Sequence, residues 1–108
     1  MNITLNKELC KLLYRLWRRE KIGGAHIPAD SLLKGFDRSH LDKVKDAVED
    51  LIKIGLLKKK PTAAGLHYEV NENLIAEFKE LILQCVIEGH LKVSPFEIDK
   101  LKKRGEQG

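Results

Sequence analysis

Cysteine is nearly absent from this chain of 108 residues. Only Cys10 and Cys85 occur, with no CxxC and no histidine at ligand spacing beside either. Two isolated cysteines in a chain without secretory features read as reduced core residues. Also missing is any apolar run near the roughly 20 residues that a membrane span needs, so no membrane partner is expected. The opening MNITLNKELC lacks the charged region and apolar core of a signal peptide, and the expected location is cytoplasmic. Catalytic signatures are missing too. There is no GxxxxGK[ST], no GxGxxG and no GxSxG. His26, His40, His67 and His90 share no spacing with cysteines or carboxylates that would hold a metal. No enzyme activity, cofactor or metal is therefore expected. Trp17, the single tryptophan, lies on a leucine-rich helix face and reads as core.

What is present is ordinary for a globular domain: 43% apolar and 33% charged residues, enough for one domain with one core. Residues 1–88 read as that domain, and 89–108 as an extension with a short helix and a frayed end. Asn6 is placed to cap a first helix over about 7–21, with Leu9, Leu12, Leu13, Leu16 and Trp17 inward. Ile22-Gly23-Gly24 ends it. His26-Ile27-Pro28 reads as a short extended connection, and Pro28 suits the first position of a second, two-turn helix that Gly35 stops. Asp37 or Ser39 is placed to cap a third helix over 38–54. Its stripe is Leu41, Val44, Val48 and Leu51, widened by Ala47 and Ile52, and Gly55 ends it. Two alternating runs follow, joined through Pro61-Thr62-Ala63-Ala64-Gly65. In the second, Leu66, Tyr68 and Val70 face one side and His67 and Glu69 the other. Asn71 caps a fourth helix over about 72–88. Ser94-Pro95-Phe96-Glu97 is a capping box opening a fifth.

Net charge is +4, and it is unevenly spread. Residues 1–21 carry +4, 37–55 carry −1, 56–70 carry +2, 71–88 carry −3 and 89–108 carry +2. Basicity thus lies in the first helix, the hairpin and the tail, and not in the central helix.

The order helix, short helix, long helix, hairpin, helix resembles the winged helix-turn-helix fold. The resemblance rests on Val48-x-x-Leu51-x-x-x-Gly55-Leu56-Leu57, a basic strand, the Gly65 turn and Tyr68-x-x-Asn71. It covers roughly residues 5–85 and is similar to the small winged-helix proteins of archaeal and bacterial transcription regulation. It implies a mainly α fold with a small β-hairpin and an extra C-terminal helix. It also implies that the third helix enters the major groove of duplex DNA while the wing lies along an adjacent groove or backbone.

The residues give this two readings. As a DNA-binding transcription regulator, the chain would use Arg38, Ser39, Asp42 and Lys43 on the third helix, and Lys58, Lys59, Lys60 and His67 on the wing. Phosphate neutralisation supplies much of the affinity of such proteins, and the wing lysines fit that role. As a protein-interaction module without DNA affinity, it would use the carboxylate-rich outer face of the third helix, where Asp42, Asp46, Glu49 and Asp50 lie. On the fourth helix, Leu74, Phe78, Leu81, Ile82 and Cys85, with Ile75 and Val86, form a stripe wider than one small-domain contact requires. That stripe predicts a homodimer, with Phe96, Ile98 and Leu101 of the tail adding to it. The alternative is that the tail folds back and covers the stripe within a monomer.

Overall fold

The computed structural model describes residues 3–19 and 26–102. The helix stop expected at Ile22-Gly23-Gly24 and the frayed end expected after Lys103 lie outside the described residues. Among these residues there are five α-helices and one small antiparallel sheet. In chain order they are α1 (Lys7–Arg18), β1 (Ile27–Pro28), α2 (Ala29–Leu33), α3 (Leu41–Lys53), β2 (Leu57–Thr62), β3 (Gly65–Val70), α4 (Ile75–Ile87) and α5 (Pro95–Lys102). Single 3-10 turns, Arg38–His40 and Glu72–Leu74, lead into α3 and α4. None of the helices is long and apolar enough to cross a membrane.

The helix ends follow local chemistry. The Asn6 side chain accepts the Leu9 N–H at 2.8 Å and opens α1. Gly55 closes α3 at φ 81°, and Leu56 N–H returns to the Leu51 carbonyl at 3.0 Å. That 6→1 bond is the Schellman closure, and it turns Leu56 into the core at 1% exposure. Asn71 binds both ends of the following hairpin unit. Its amide donates to the Gly55 carbonyl at 3.1 Å, and its carbonyl accepts from Asn73 N–H at 3.1 Å. The expected caps of α3 are not placed as such: Asp37 makes no side-chain cap bond, Ser39 lies inside the 3-10 turn, and His40, which precedes the α-helix proper, makes no side-chain cap bond either. The 3-10 turn brings the chain into α3 with the His40 N–H bonded to the Asp37 carbonyl instead.

The sheet has three strands in the order β1-β3-β2. The connection at Ile27-Pro28 is thus a strand, paired with Tyr68 and His67 of β3. Pro28 is tolerated because β1 is an edge. The hairpin is also tighter than expected. Pro61 pairs with Leu66 and Thr62 with Gly65, so only Ala63 and Ala64 form the loop. Thr62 Oγ1 accepts from Ala64 N–H and donates to the Gly65 carbonyl.

One core joins these elements. From α1 it takes Leu9, Leu12, Leu13 and Leu16. From α3 it takes Val44, Ala47, Val48 and Leu51, and from the sheet Ile27, Leu57, Tyr68 and Val70. α4 contributes Phe78, Ile82 and Cys85, all at 0% exposure. Burying side chains of this size contributes roughly 1.5–3 kcal/mol each.

Two expectations are corrected here. Cys10 and Cys85 are not free thiols: they form a disulfide between α1 and α4, with Cα atoms 5.8 Å apart. Each cysteine sits on the inward face of its helix, and packing the two helices brings them into bonding range. The stripe assigned to a homodimer is also spent inside the protomer. Phe78, Ile82 and Cys85 are fully buried, and Leu74 and Leu81 pack against the same core. α5 lies beside α4, and its Glu97 accepts the Tyr14 hydroxyl of α1 at 2.8 Å. The capping box of α5 is accordingly half made. Ser94 Oγ accepts the Glu97 N–H at 3.3 Å, while the Glu97 carboxylate takes Tyr14.

Candidate nucleic-acid interface

Antiparallel partners share a sheet face, so the register decides where each hairpin lysine points. Lys58 lies opposite Glu69, Lys59 opposite Tyr68, and Lys60 opposite His67. Lys58 and Lys60 therefore share one face and Lys59 takes the other. On the first face, Lys58 Nζ and Lys60 Nζ stand 3.8 and 3.6 Å from the same oxygen, Glu69 Oε1. Glu69 is buried at 5% exposure, so two of the three hairpin lysine charges are shared with one sequestered carboxylate. Lys59 is exposed and has no ion pair among the described residues.

The opposite face of the ribbon is turned towards α3. Burial pushes the Tyr68 hydroxyl up from its ordinary ionisation range, and the nearby carboxylate of Glu49 pushes it further. Lys59 is thus the hairpin cation on the side where α3 lies.

His67 is half-buried and already engaged. Its Nδ1 lies 2.6 Å from Nδ1 of His26, with the rings edge to face at 4.6 Å between centroids. One ring must donate and the other accept. The pair staples β3 to the segment entering β1 and draws His67 away from the role of a free phosphate contact.

On α3 and the turn before it, Arg38, Ser39, Asp42 and Lys43 are all exposed, as are Asp46, Glu49 and Asp50. The four candidate residues lie together at the N-terminal end of the helix, with the three further carboxylates towards its middle and C-terminal half. The face offers two cations, a hydroxyl and a carboxylate. It can contact base edges or phosphates at its start, but becomes progressively repulsive to phosphate along its length.

The strongest concentration of positive charge lies elsewhere. A cleft of about 510 Å³ opens between α1 and the turn joining α2 to α3, lined by Lys11, Tyr14, Arg15, Arg18, Arg19, Gly35 and Phe36. Arg15 forms its floor. Its Nη1 donates to the Leu32 carbonyl at 2.8 Å and to the Lys34 carbonyl, and its guanidinium lies 5.0 Å from the centre of the Phe36 ring. Gly35, at φ 88°, sits directly beneath, where a Cβ would come within 3.3 Å of Arg15 Nη2. Desolvation, and secondarily the like charge of Arg19, lowers the Arg15 ionisation from its ordinary value. Arg18 is held by a bond to the Tyr14 hydroxyl at 3.1 Å.

The basicity of the first helix is legible in the sequence, but its partners are not. Phe36 and Gly35 join it only once α2 has turned the chain back. Among the described residues, no group of three or more histidines, cysteines and carboxylates is placed to hold a metal. Comparison with family models, curated proteins and solved structures returns no match.

Proposed function

We propose that the chain is a winged-helix protein that binds duplex DNA, mainly through phosphates, as a transcription regulator. The observation that carries this reading is the topology. The strand β1 falls between α1 and α2, the hairpin follows α3, and the sheet runs β1-β3-β2. This arrangement fits a winged helix, with β2 and β3 as the wing and the 3-10 turn plus α3 as the groove-entering element. Within it, Lys59, Arg38 and Lys43 are the exposed cations best placed for phosphate, and Ser39 and Asp42 for base edges. A cytoplasmic location belongs to the same reading. Titrating a labelled random duplex with protein over a salt series tests it, because phosphate contacts give affinity that falls steeply with salt.

A protein-interaction module is the second reading. It is favoured by Asp46, Glu49 and Asp50 on the exposed face of α3 and by the Glu69 carboxylate that shares Lys58 and Lys60. Its signature is a tight protein partner with no affinity for duplex DNA at low salt. A homodimer would use Ile87 and Phe96, exposed at 68% and 67%, rather than the buried row of α4.

A further inference from the structure

We infer that the cleft between α1 and the α2–α3 turn is a binding site for a phosphate ester of about nucleotide size, held by Lys11, Arg18 and Arg19 against the rings of Tyr14 and Phe36. This site is separate from the wing and does not depend on the DNA reading above.

Three observations carry it. The first is an excess of positive charge. Lys11, Arg15, Arg18 and Arg19 all line the cleft, and among the described residues no carboxylate does. Four cations around one concavity focus a field that draws an anion into it. Glu97 answers part of this charge, since it accepts the Tyr14 hydroxyl at 2.8 Å and attracts the Arg18 guanidinium. The second is pre-organisation. Glu97 fixes Tyr14, Tyr14 accepts from Arg18 at 3.1 Å, and the Arg18 guanidinium lies 5.6 Å from the centre of the Tyr14 ring. Arg15 is clamped by two carbonyls of the α2–α3 segment, so the floor is rigid. The remaining donors of Arg18, with exposed Lys11 and Arg19, face an anion with little left to order. The third is size and lining. The cleft, at about 510 Å³, falls within the range typical of sites for small organic ligands and is larger than a lone phosphate requires. The half-buried rings of Phe36 and Tyr14 supply apolar surface for the organic part of the ligand.

A phosphate of this kind has two sources, a free nucleotide or the backbone of a nucleic acid, and one experiment separates them. Backbone amide shifts are followed by NMR at constant ionic strength during titration with ATP, with sodium pyrophosphate and with a random duplex. Saturable shifts are expected at Lys11, Tyr14, Arg15, Arg18, Arg19, Gly35 and Phe36. If ATP or pyrophosphate produces them, the ligand is a free phosphate ester. If the duplex produces them and the small anions do not, the cleft grips a backbone phosphate. Either result supports the site. Replacing Arg18 and Arg19 together by Gln should weaken the binding about tenfold or more, as loss of charge-assisted bonds does. Lys11→Gln, which leaves the Tyr14–Arg18 contact intact, should weaken it in the same direction. The inference is overturned if none of the three probes gives saturable shifts at these residues. It is equally overturned if both variants, folded by circular dichroism, bind as tightly as the parent.

Discussion

Lys58, Lys59 and Lys60 are consecutive and chemically identical, yet the sheet gives them different electrostatic surroundings. Lys58 and Lys60 share the Glu69 carboxylate, so part of their attraction for phosphate is already answered. Lys59 is on the opposite face, across from Tyr68. Alanine at Lys59 should therefore lower the slope of log affinity for DNA against log salt by close to one unit, as loss of one full phosphate contact does. Alanine at Lys58 or Lys60 should lower it by less. Equal losses at all three positions would contradict the division of the lysines by face. Tyr68 carries a second prediction at this scale. Its hydroxyl is raised by burial and then by Glu49, so the folded state holds the proton more tightly than the unfolded chain. The associated stability is fully present below the ordinary tyrosine range, near 10, and is lost as pH rises through the folded value. In urea unfolding from pH 8 to pH 11, Tyr68→Phe should lose less stability than the parent. Parallel curves would remove Tyr68 from the alkaline response.

At the scale of elements, the cross-link between α1 and α4 is the feature with the largest expected energy. Cys10 and Cys85 are 75 residues apart in sequence, and closing a loop of that length is worth about 4.5 kcal/mol in the chain-entropy model. Removing a native bridge from a small domain typically costs roughly 2–5 kcal/mol. Reduction, or the double substitution Cys10→Ala and Cys85→Ala, should cost stability in that range by chemical denaturation. An unchanged midpoint after complete thiol release would show that packing alone holds the two helices. The elements themselves were unevenly legible. α1, α3 and α4 announce themselves because their apolar residues recur at the helical period over 12 or 13 residues. β1 did not, because two residues carry no period, and their strand character exists only through pairing with β3. The cysteine pairing was hidden for a similar reason. Each residue reads as one more position on an apolar face, and no local pattern connects positions so far apart. The broad stripe of α4 was visible, but its use was misread. The residues expected to cover a second copy instead meet α1 and the rest of the core.

At the scale of the whole molecule, charge and shape divide the surface. The α4 segment, residues 71–88, carries −3, whereas residues 1–21 carry +4 and the hairpin segment 56–70 carries +2. The two basic regions are not equivalent. The hairpin spends part of its charge on Glu69, while α1 gathers its arginines around an open cleft with the turn leading to α3 as the opposite wall. Arg38 lies in that turn, two residues beyond Phe36. The exposed carboxylate of Asp37 stands between them, so the cleft and the start of α3 are two basic regions close in sequence and separated by one acid.

The most direct test of the DNA-binding account is fluorescence anisotropy of a labelled random duplex, titrated with the full chain at several salt concentrations. The account predicts saturable binding at low salt, with log affinity falling linearly against log salt and a slope that Lys59→Ala makes shallower. Absence of binding at low salt, or an affinity indifferent to salt, would contradict it.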